Sequence, residues 1–535
     1  IYYFSIFALE TNIKAQGSIK MKYIVGIDIG TTSTKALLYD LNGKIYAKAN
    51  IGYKLYQDLP DMAEEDPDAI FNATISAIQE VVAESRIDGQ QVIAISWSAQ
   101  QHSILALDKD YKPLTKSITW ADNRAEKYAR KYKENGKGME IYKRTGLPIH
   151  PMGPFYKMLW LKNEHPDIFN KAAFWVGIKE YIIWRYTNVL AEETSMAAAT
   201  GLLNMHTVDW DDEILNSLGI KRSQLPDLVP LTHSIKGIRS EYAKVMGISA
   251  DVSVVMGATD GALSTIGVGA LDTGVLAINI GTSAAVRSFV DKPLIDPKAR
   301  LYCYPIMEGK YLVGGPINNG GIVFNWAHDA LFGAEHETAK LLKQDSYNML
   351  TDIAKTVPAG SAGLLFHPYL GGERAPLWDA NARGSFFGLN RNHTRAHMIR
   401  AVLEGIVFNL YMTTLALTEV TGKPKEILAA GGFVQSSLGR QIMADVYEHD
   451  VTIPDSYESG CLAAMYLAKM SLGMESNLSG ITKYIGKEKK YQPNKDNYKA
   501  YRKLIPIFIR LSRELSKEYE SIADYQREFS KIYKD

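Results

Sequence analysis

Residues 24–40 read IVGIDIGTTSTKALLYD, and residues 275–290 read VLAINIGTSAAVRSFV. Aligned on Gly30 and Gly281, the two run alike: an apolar strand, a polar residue, one apolar residue, Gly-Thr-Thr or Gly-Thr-Ser, and a second strand. The polar residue is Asp28 in the first copy and Asn279 in the second. A Gly-Thr turn between strands offers bare backbone N–H groups and a hydroxyl, which are donors suited to a phosphate oxygen. Two such turns imply two half-molecules gripping one polyphosphate, with a carboxylate supplied by only one of them.

Working outward, strands are expected at 23–29, 34–41 and 44–52, the last two joined by the hairpin dipeptide Asn42-Gly43. The stretch EEDPDAIFNATISAIQEVVAES (64–85) places Ile70, Ile75, Ile78, Val81 and Val82 at helical spacing behind an acidic first turn. Strands at 92–96 and 104–107 follow. A strand–strand–strand–helix–strand order opening each half indicates a duplicated α/β architecture, with its seam at 265–273. The chain then divides into 21–268, 269–490 and a tail, 491–535. Tyr498, Tyr501, Ile505, Phe508 and Leu511 predict one long amphipathic helix docked on the body in the tail. Met21 stands directly before the first strand, and residues 1–20 read as an extension without a role in function.

Bulk properties narrow the function. A chain of 535 residues is expected to hold more than one domain. Its net charge of +1 provides no field to attract nucleic acid or a membrane surface. No apolar run approaches the roughly 18 residues that span a bilayer. Cys303 and Cys461 form no metal-ligand spacing and suit a reducing compartment, so a cytoplasmic location is expected. Homodimerisation is left open.

Four constellations carry chemistry. Asp28 lies two residues before a phosphate turn, where it suits a hydrated Mg²⁺ as well as a turn-capping role. Lys35 ends the same run and can reach the same phosphates. In KEILAAGGFVQSS (425–437), a strand at 426–430, Gly431-Gly432 and a helix at 436–447 let backbone approach a flat ligand, the natural place for a nucleoside. In VVMGATDGALSTIGVGAL (254–271), Asp260 follows a strand at 252–256 and is flanked by Gly257 and Gly261, so its carboxylate can face a cleft as a general base. The same position suits a helix N-cap, and the two roles are compatible. Finally, ISWSAQQHS (95–103) and ITWADNRAE (118–126) gather Trp97, Gln101, His102, Trp120, Asp122, Asn123 and Arg124. Ring faces for C–H groups, with amides and charges for hydroxyls, suit a polyhydroxylated ligand.

These residues resemble the FGGY family of carbohydrate kinases, within the actin-like ATPase superfold, over essentially all of 21–500. DIGTTSTK (28–35) and NIGTSA (279–284) resemble the family's two phosphate motifs, and AAGGFVQSS (429–437) its adenosine motif. MGPFYKMLWLKNE (152–164) and GSFFGLNRNHTRAHMIRAVLE (384–404) resemble its two signatures. The resemblance implies an α/β protein of two RNase H-like domains, with ATP·Mg²⁺ and a sugar in the central cleft. It implies Asp260 as catalytic base and Asp28 as the metal-associated carboxylate. It places Thr31, Thr32, Ser33 and Lys35 at the first phosphate turn and Gly281 and Thr282 at the second. Gly321, Asn325, Gly432 and Ser436 would line the nucleotide, and Gln101, His102 and Met152, together with Asp260, would contact the sugar.

Within the family, the segments 117–126, 146–161, 196–215 and 370–389 resemble the gluconate kinases most. The Gln101-His102 pair departs from glycerol kinases, which carry Arg-Glu there, and from xylulokinases, which usually carry Met before the His. The implied reaction is phosphorylation of D-gluconate to 6-phospho-D-gluconate. Candidate cations for its carboxylate are His102, Arg124, Lys157, Lys179 and Arg374. The alternatives are a pentulose kinase of the xylulokinase type, or a non-enzymatic actin-like ATPase or sugar sensor.

Overall fold

The computed structural model describes residues 21–59, 61–455, 458–486 and 488–532, so the reading of residues 1–20 lies outside it. Two sheets organise the chain. The first uses β1 (Tyr23–Ile29), β2 (Ser33–Asp40), β3 (Ile45–Gly52), β4 (Val92–Ala99), β5 (Ser234–Lys236) and β6 (Ser253–Thr259), in the order β5-β6-β4-β1-β2-β3. The second uses β7 (Val275–Ile280), β8 (Ala284–Val290), β9 (Tyr302–Met307), β10 (Lys310–Ile317), β11 (Glu426–Ala430), β12 (Val451–Pro454) and β13 (Glu488–Tyr491), in the order β9-β10-β8-β7-β11-β12-β13.

The duplication is visible in the pairing. β1 runs antiparallel to β2 and parallel to β4; β7 runs antiparallel to β8 and parallel to β11. Asp28 sits across from Lys35 and Ser98, and Asn279 across from Ala285 and Ala430, so the two polar residues hold equivalent places in the ladder. The second half departs from the expected order. An added edge strand, β9, precedes β10, and a long excursion separates β10 from the crossover helix.

Helix α1 (Pro67–Ser85) begins where the Asp66 carboxylate accepts from the N–H groups of Asp68 and Ala69, and it buries Ile70, Phe71, Ala77, Ile78 and Val81. α2 (Pro154–Glu164) carries the first signature segment. α3 (Asp260–Gly267) follows β6 directly, and α4 (Gly321–Ala330) follows β10. α5 (Arg395–Thr421) is long and apolar enough to cross a membrane, yet its apolar window is 83% buried within the protein, where it forms the core of the second half. α6 (Ser437–Tyr447) and α7 (Ser459–Ser471) complete that half.

α3 and α7 come from opposite halves and meet backbone to backbone. A Cβ on Gly267 would stand 2.0 Å from the Ser459 carbonyl oxygen, and one on Gly26 of β1 would stand 2.4 Å from that of Cys461. No side chain fits at either crossing.

The tail forms two helices where one was expected: α8 (Lys495–Glu514) and α9 (Ser516–Ile532), broken at Leu515. α8 buries Tyr501, Ile505, Phe508 and Ser512. The Phe508 carbonyl contacts His367 Nε2 at 3.1 Å, and the Ser512 hydroxyl lies 2.8 Å from that of Tyr369. The break redirects the chain so that Tyr519 is buried against Tyr369 and Ala382, a packing demand that helical periodicity alone does not reveal.

Candidate active site

The two Gly-Thr turns open onto one cavity of about 400 Å³ between the sheets. In the first turn, the Gly30 N–H donates to the Ser33 carbonyl at 3.0 Å, and Tyr53 N–H donates to that of Thr32. Asp28 lies at the foot of the turn and accepts from Ser98 Oγ at 2.7 Å. Burial, with a smaller contribution from nearby Asp260, pushes its carboxyl up to about 6 against the effect of that bond. Lys35, across the ladder, pairs with Glu458 at 3.3 Å, the residue just before α7.

The second turn is braced by α4. Gly321 N–H donates to the Gly281 carbonyl at 2.8 Å and Ile322 N–H to that of Thr282 at 3.0 Å. Gly431 presses against the same turn with φ of +102°, and a Cβ there would stand 2.3 Å from the Ile280 carbonyl oxygen. Only glycine fits this position. The bare backbone of Gly281, Gly431 and Gly432 thus forms one wall of the cavity. That wall and the Asp28 carboxylate opposite fit a polyphosphate with its divalent cation.

Asp260 is the first residue of α3 and faces the same cavity. Its Oδ1 accepts from the Gly261 N–H at 2.7 Å, whereas the N-cap is Thr259, whose hydroxyl accepts from Ala262 N–H at 3.2 Å. Capping falls to the threonine, and the carboxylate is left facing the cleft, where solvent reaches it. Protein nevertheless surrounds it on the other sides, and this desolvation raises the Asp260 carboxyl above its ordinary value, with Arg287 opposing.

On the sugar side, Gln101, His102 and Trp120 line the cavity. His102 has φ of +67°, and its Nε2 lies 2.9 Å from Tyr304 OH. Burial, with Lys157 and Arg374 nearby, holds its imidazole well below the ordinary value, so it is neutral. Trp120 Nε1 donates to Thr31 Oγ1 at 3.0 Å, Thr31 donates to Gln100 Oε1 at 3.1 Å, and Gln100 Nε2 donates to buried Glu65 at 2.8 Å. The sugar platform and the first phosphate turn therefore share one hydrogen-bonded chain.

Several expected residues are not among those lining the cavity. Thr32 is exposed to solvent outside it, and Ser33 is occupied through its carbonyl in closing the turn. Gly321 supports Gly281, and Asn325 lies exposed one turn along α4. The Ser436 hydroxyl caps α6 by accepting from Gly439 N–H at 3.3 Å. Met152 is fully buried with Ala375 and Trp378 against Trp120, so it backs the platform and does not line the site.

Three of the five expected cations are also engaged elsewhere. Arg124 pairs with Asp122 and Glu64. Lys157 donates to the carbonyls of His102 and Thr119 at 2.8 and 2.6 Å. Lys179 is buried against Glu193 at 2.8 Å. Arg374 does line the cavity, with its guanidinium 4.4 Å from the Trp120 ring centre. Sequence reading missed Ser98, Glu458 and Arg287. Strand alternation carried a signal for Arg287, because Ala285 and Arg287 stand two apart on β8 and both face the cavity.

Known proteins agree with this geometry. The N-terminal domain model of the FGGY family of carbohydrate kinases matches residues 23–267, and its C-terminal domain model matches residues 276–472. A gluconokinase of Bacillus licheniformis is 47% identical over 509 residues, covering 95% of this chain and 99% of its own. The crystal structure of a gluconate kinase from Lactobacillus acidophilus superposes with a TM-score of 0.88 at 47% identity, covering 94% of this chain and 100% of that one. A ligand-bound xylulose kinase from the same species matches with the same TM-score, identity and coverage. Paired phosphate turns, a carboxylate between them and matching models over both halves lead to one conclusion: the chain belongs to the FGGY family of carbohydrate kinases.

Proposed function

We propose that this protein is a cytoplasmic, ATP-dependent gluconokinase that converts D-gluconate to 6-phospho-D-gluconate. The observation that carries the reading is Asp260, a carboxylate at a helix start, facing the cavity onto which both Gly-Thr turns open. Full-length likeness to a gluconokinase supports the choice of sugar acid.

Asp260 accepts the proton of the terminal substrate hydroxyl, whose oxygen attacks the γ-phosphorus in line as the bond to the β,γ-bridging oxygen breaks and ADP leaves. Such a base contributes about 10²–10⁴-fold. Asp28, with Ser98 bonded to it, would hold a divalent cation, which when bound would supply neutralisation of the phosphate oxygens. The backbone of Gly281 and Thr282, the Thr31 turn and Lys35 fix the phosphates, while Gly432 borders the nucleoside. Most of the rate comes from this positioning and charge compensation.

A second reading, a pentulose kinase, is favoured by the likeness to the xylulose kinase structure. A coupled ADP-release assay with gluconate, xylulose, ribulose, glycerol and glucose separates the two. Gluconate is expected to give the highest kcat/KM. Turnover on xylulose alone would establish the second reading, and sugar-independent ATPase with silence on every sugar would refute both.

A further inference from the structure

We infer that Ser195 is a positioning residue for the base: held by the buried Lys179–Glu193 pair, it clamps the Thr259 amide and so fixes where the Asp260 carboxylate stands. The inference deepens the proposed function and rests on its assignment of Asp260 as the base.

The edge of β6 changes partners before it reaches the base. β5 pairs with it over Ser253–Val255. The Met256 and Gly257 N–H groups then donate to the carbonyls of His233 and Leu231, each at 3.0 Å. Thr259 N–H, two residues on, donates to the Ser195 hydroxyl at 3.0 Å. A side chain thus takes over from backbone at the last residue before Asp260. Ser195 belongs to a short helix, Thr194–Ala199, whose N-cap is Glu193. Its hydroxyl donates to Glu193 Oε1 at 2.9 Å and its N–H to Glu193 Oε2 at 2.6 Å. Lys179 Nζ donates to the same Oε1 at 2.8 Å, and Met196 N–H does so at 3.1 Å. The serine hydroxyl has one proton and gives it to Glu193, so a lone pair faces Thr259. Lys179, Glu193 and Ser195 are wholly buried and do not line the cavity.

A buried ion pair adds little net stability over apolar packing of the same volume, so what it contributes here is direction. Lys179 and the helix amides fix Glu193, Glu193 fixes the serine hydroxyl, and the hydroxyl fixes the amide of the residue that caps α3. Thr259 is then held twice, at its N–H by Ser195 and at its hydroxyl by Ala262 N–H. Asp260 is the next residue, and its backbone moves only as Thr259 moves. A base displaced by about 1 Å can cost about 10²-fold in rate. Lys179, expected as a cation for the substrate carboxylate, instead anchors the clamp behind the base.

The test is a double-mutant cycle on the full chain: Ser195→Ala, Asp260→Asn and both together, with MgADP binding by calorimetry as the control for folding. Alone, Ser195→Ala is expected to lower kcat by about 10–100-fold, while the sugar KM and the MgADP Kd stay within about threefold. In the Asp260→Asn background the same substitution should change the residual kcat by less than about threefold, because no base remains to misplace. A kcat within about threefold of the parent overturns the inference even if the melting temperature falls. So does a loss carried by KM instead, or losses that multiply in the double variant. If Ser195→Ala fails to bind MgADP, Glu193→Gln, which keeps the side-chain volume and weakens the grip on the serine hydroxyl, decides by the same cycle. Near-normal kcat in Asp260→Asn overturns the proposed base and this inference together. A large loss in Asp260→Asn beside an unchanged kcat in Ser195→Ala overturns this inference alone.

Discussion

Replacing Asp28 with asparagine should stabilise the ligand-free protein while disabling it. The carboxyl is held at about 6 where its ordinary value is 3.8, chiefly by burial. Keeping it ionised at neutral pH therefore costs about 3 kcal/mol. Its side chain opens onto a solvent-reached cleft, and screening reduces the cost to roughly 1–2 kcal/mol. The sign follows from proton counts. Between about pH 4 and 6 the folded protein holds a proton that the unfolded chain has lost, so stability falls as pH rises through that window and stays reduced above it. The asparagine side chain would keep an Oδ1 acceptor for Ser98 and remove the charge. The variant should gain nothing near pH 4 and about 1–2 kcal/mol by pH 7.5, or about 2–6 °C in the melting of its half-molecule. Thermal unfolding across pH 5–8, with and without MgATP, reads this directly. MgATP should stabilise the unmodified protein more than the variant, and turnover should fall on the order of 10²-fold or more. A variant less stable than the parent at pH 7.5 without ligand, or a difference independent of pH, would refute the reasoning.

Asp260→Asn should lower kcat by about 10²–10⁴-fold while MgADP affinity stays within about twofold; near-normal kcat would remove the base assignment. Gly431→Ala drives a Cβ to 2.3 Å from the Ile280 carbonyl oxygen at a positive φ, so the KM for ATP should rise about tenfold or more with the sugar KM much less affected. Lys157→Met leaves the carbonyls of His102 and Thr119 without their donor, costing about 1–3 kcal/mol each. Melting temperature should drop and the sugar KM rise, because that lysine pins His102 in its left-handed conformation.

Periodicity and duplicated turns made the architecture legible, since an apolar strand ending in Gly-Thr constrains its own pairing. The Asp28–Lys35 and Asn279–Ala285 registers follow from that local pattern. Pairings between distant segments were not legible. Glu458 meets Lys35 across the two halves, and nothing near either residue announces it. Lys157 and Lys179 look like ligand cations in a polar list, but burial decides their partners, and burial is a tertiary property. The Asp260 carboxylate is freed for the cleft because its neighbour Thr259 takes the cap, a division of labour that either residue type could have filled.

The crossing of α3 and α7 has a metric consequence. Asp260 opens α3; Gly267 closes it against the Ser459 carbonyl; the adjacent Gly460 lies against Ser98, and its Cβ would stand 3.9 Å from Asp28 Cγ. The separation between the two cleft carboxylates is thus ruled off in backbone, through a template lent by the opposite half. Substituting side chains around this path leaves the ruler intact, whereas a single inserted or deleted residue in α3 would rotate Asp260 by about 100°. The enzyme's calibration is stored in a count of residues.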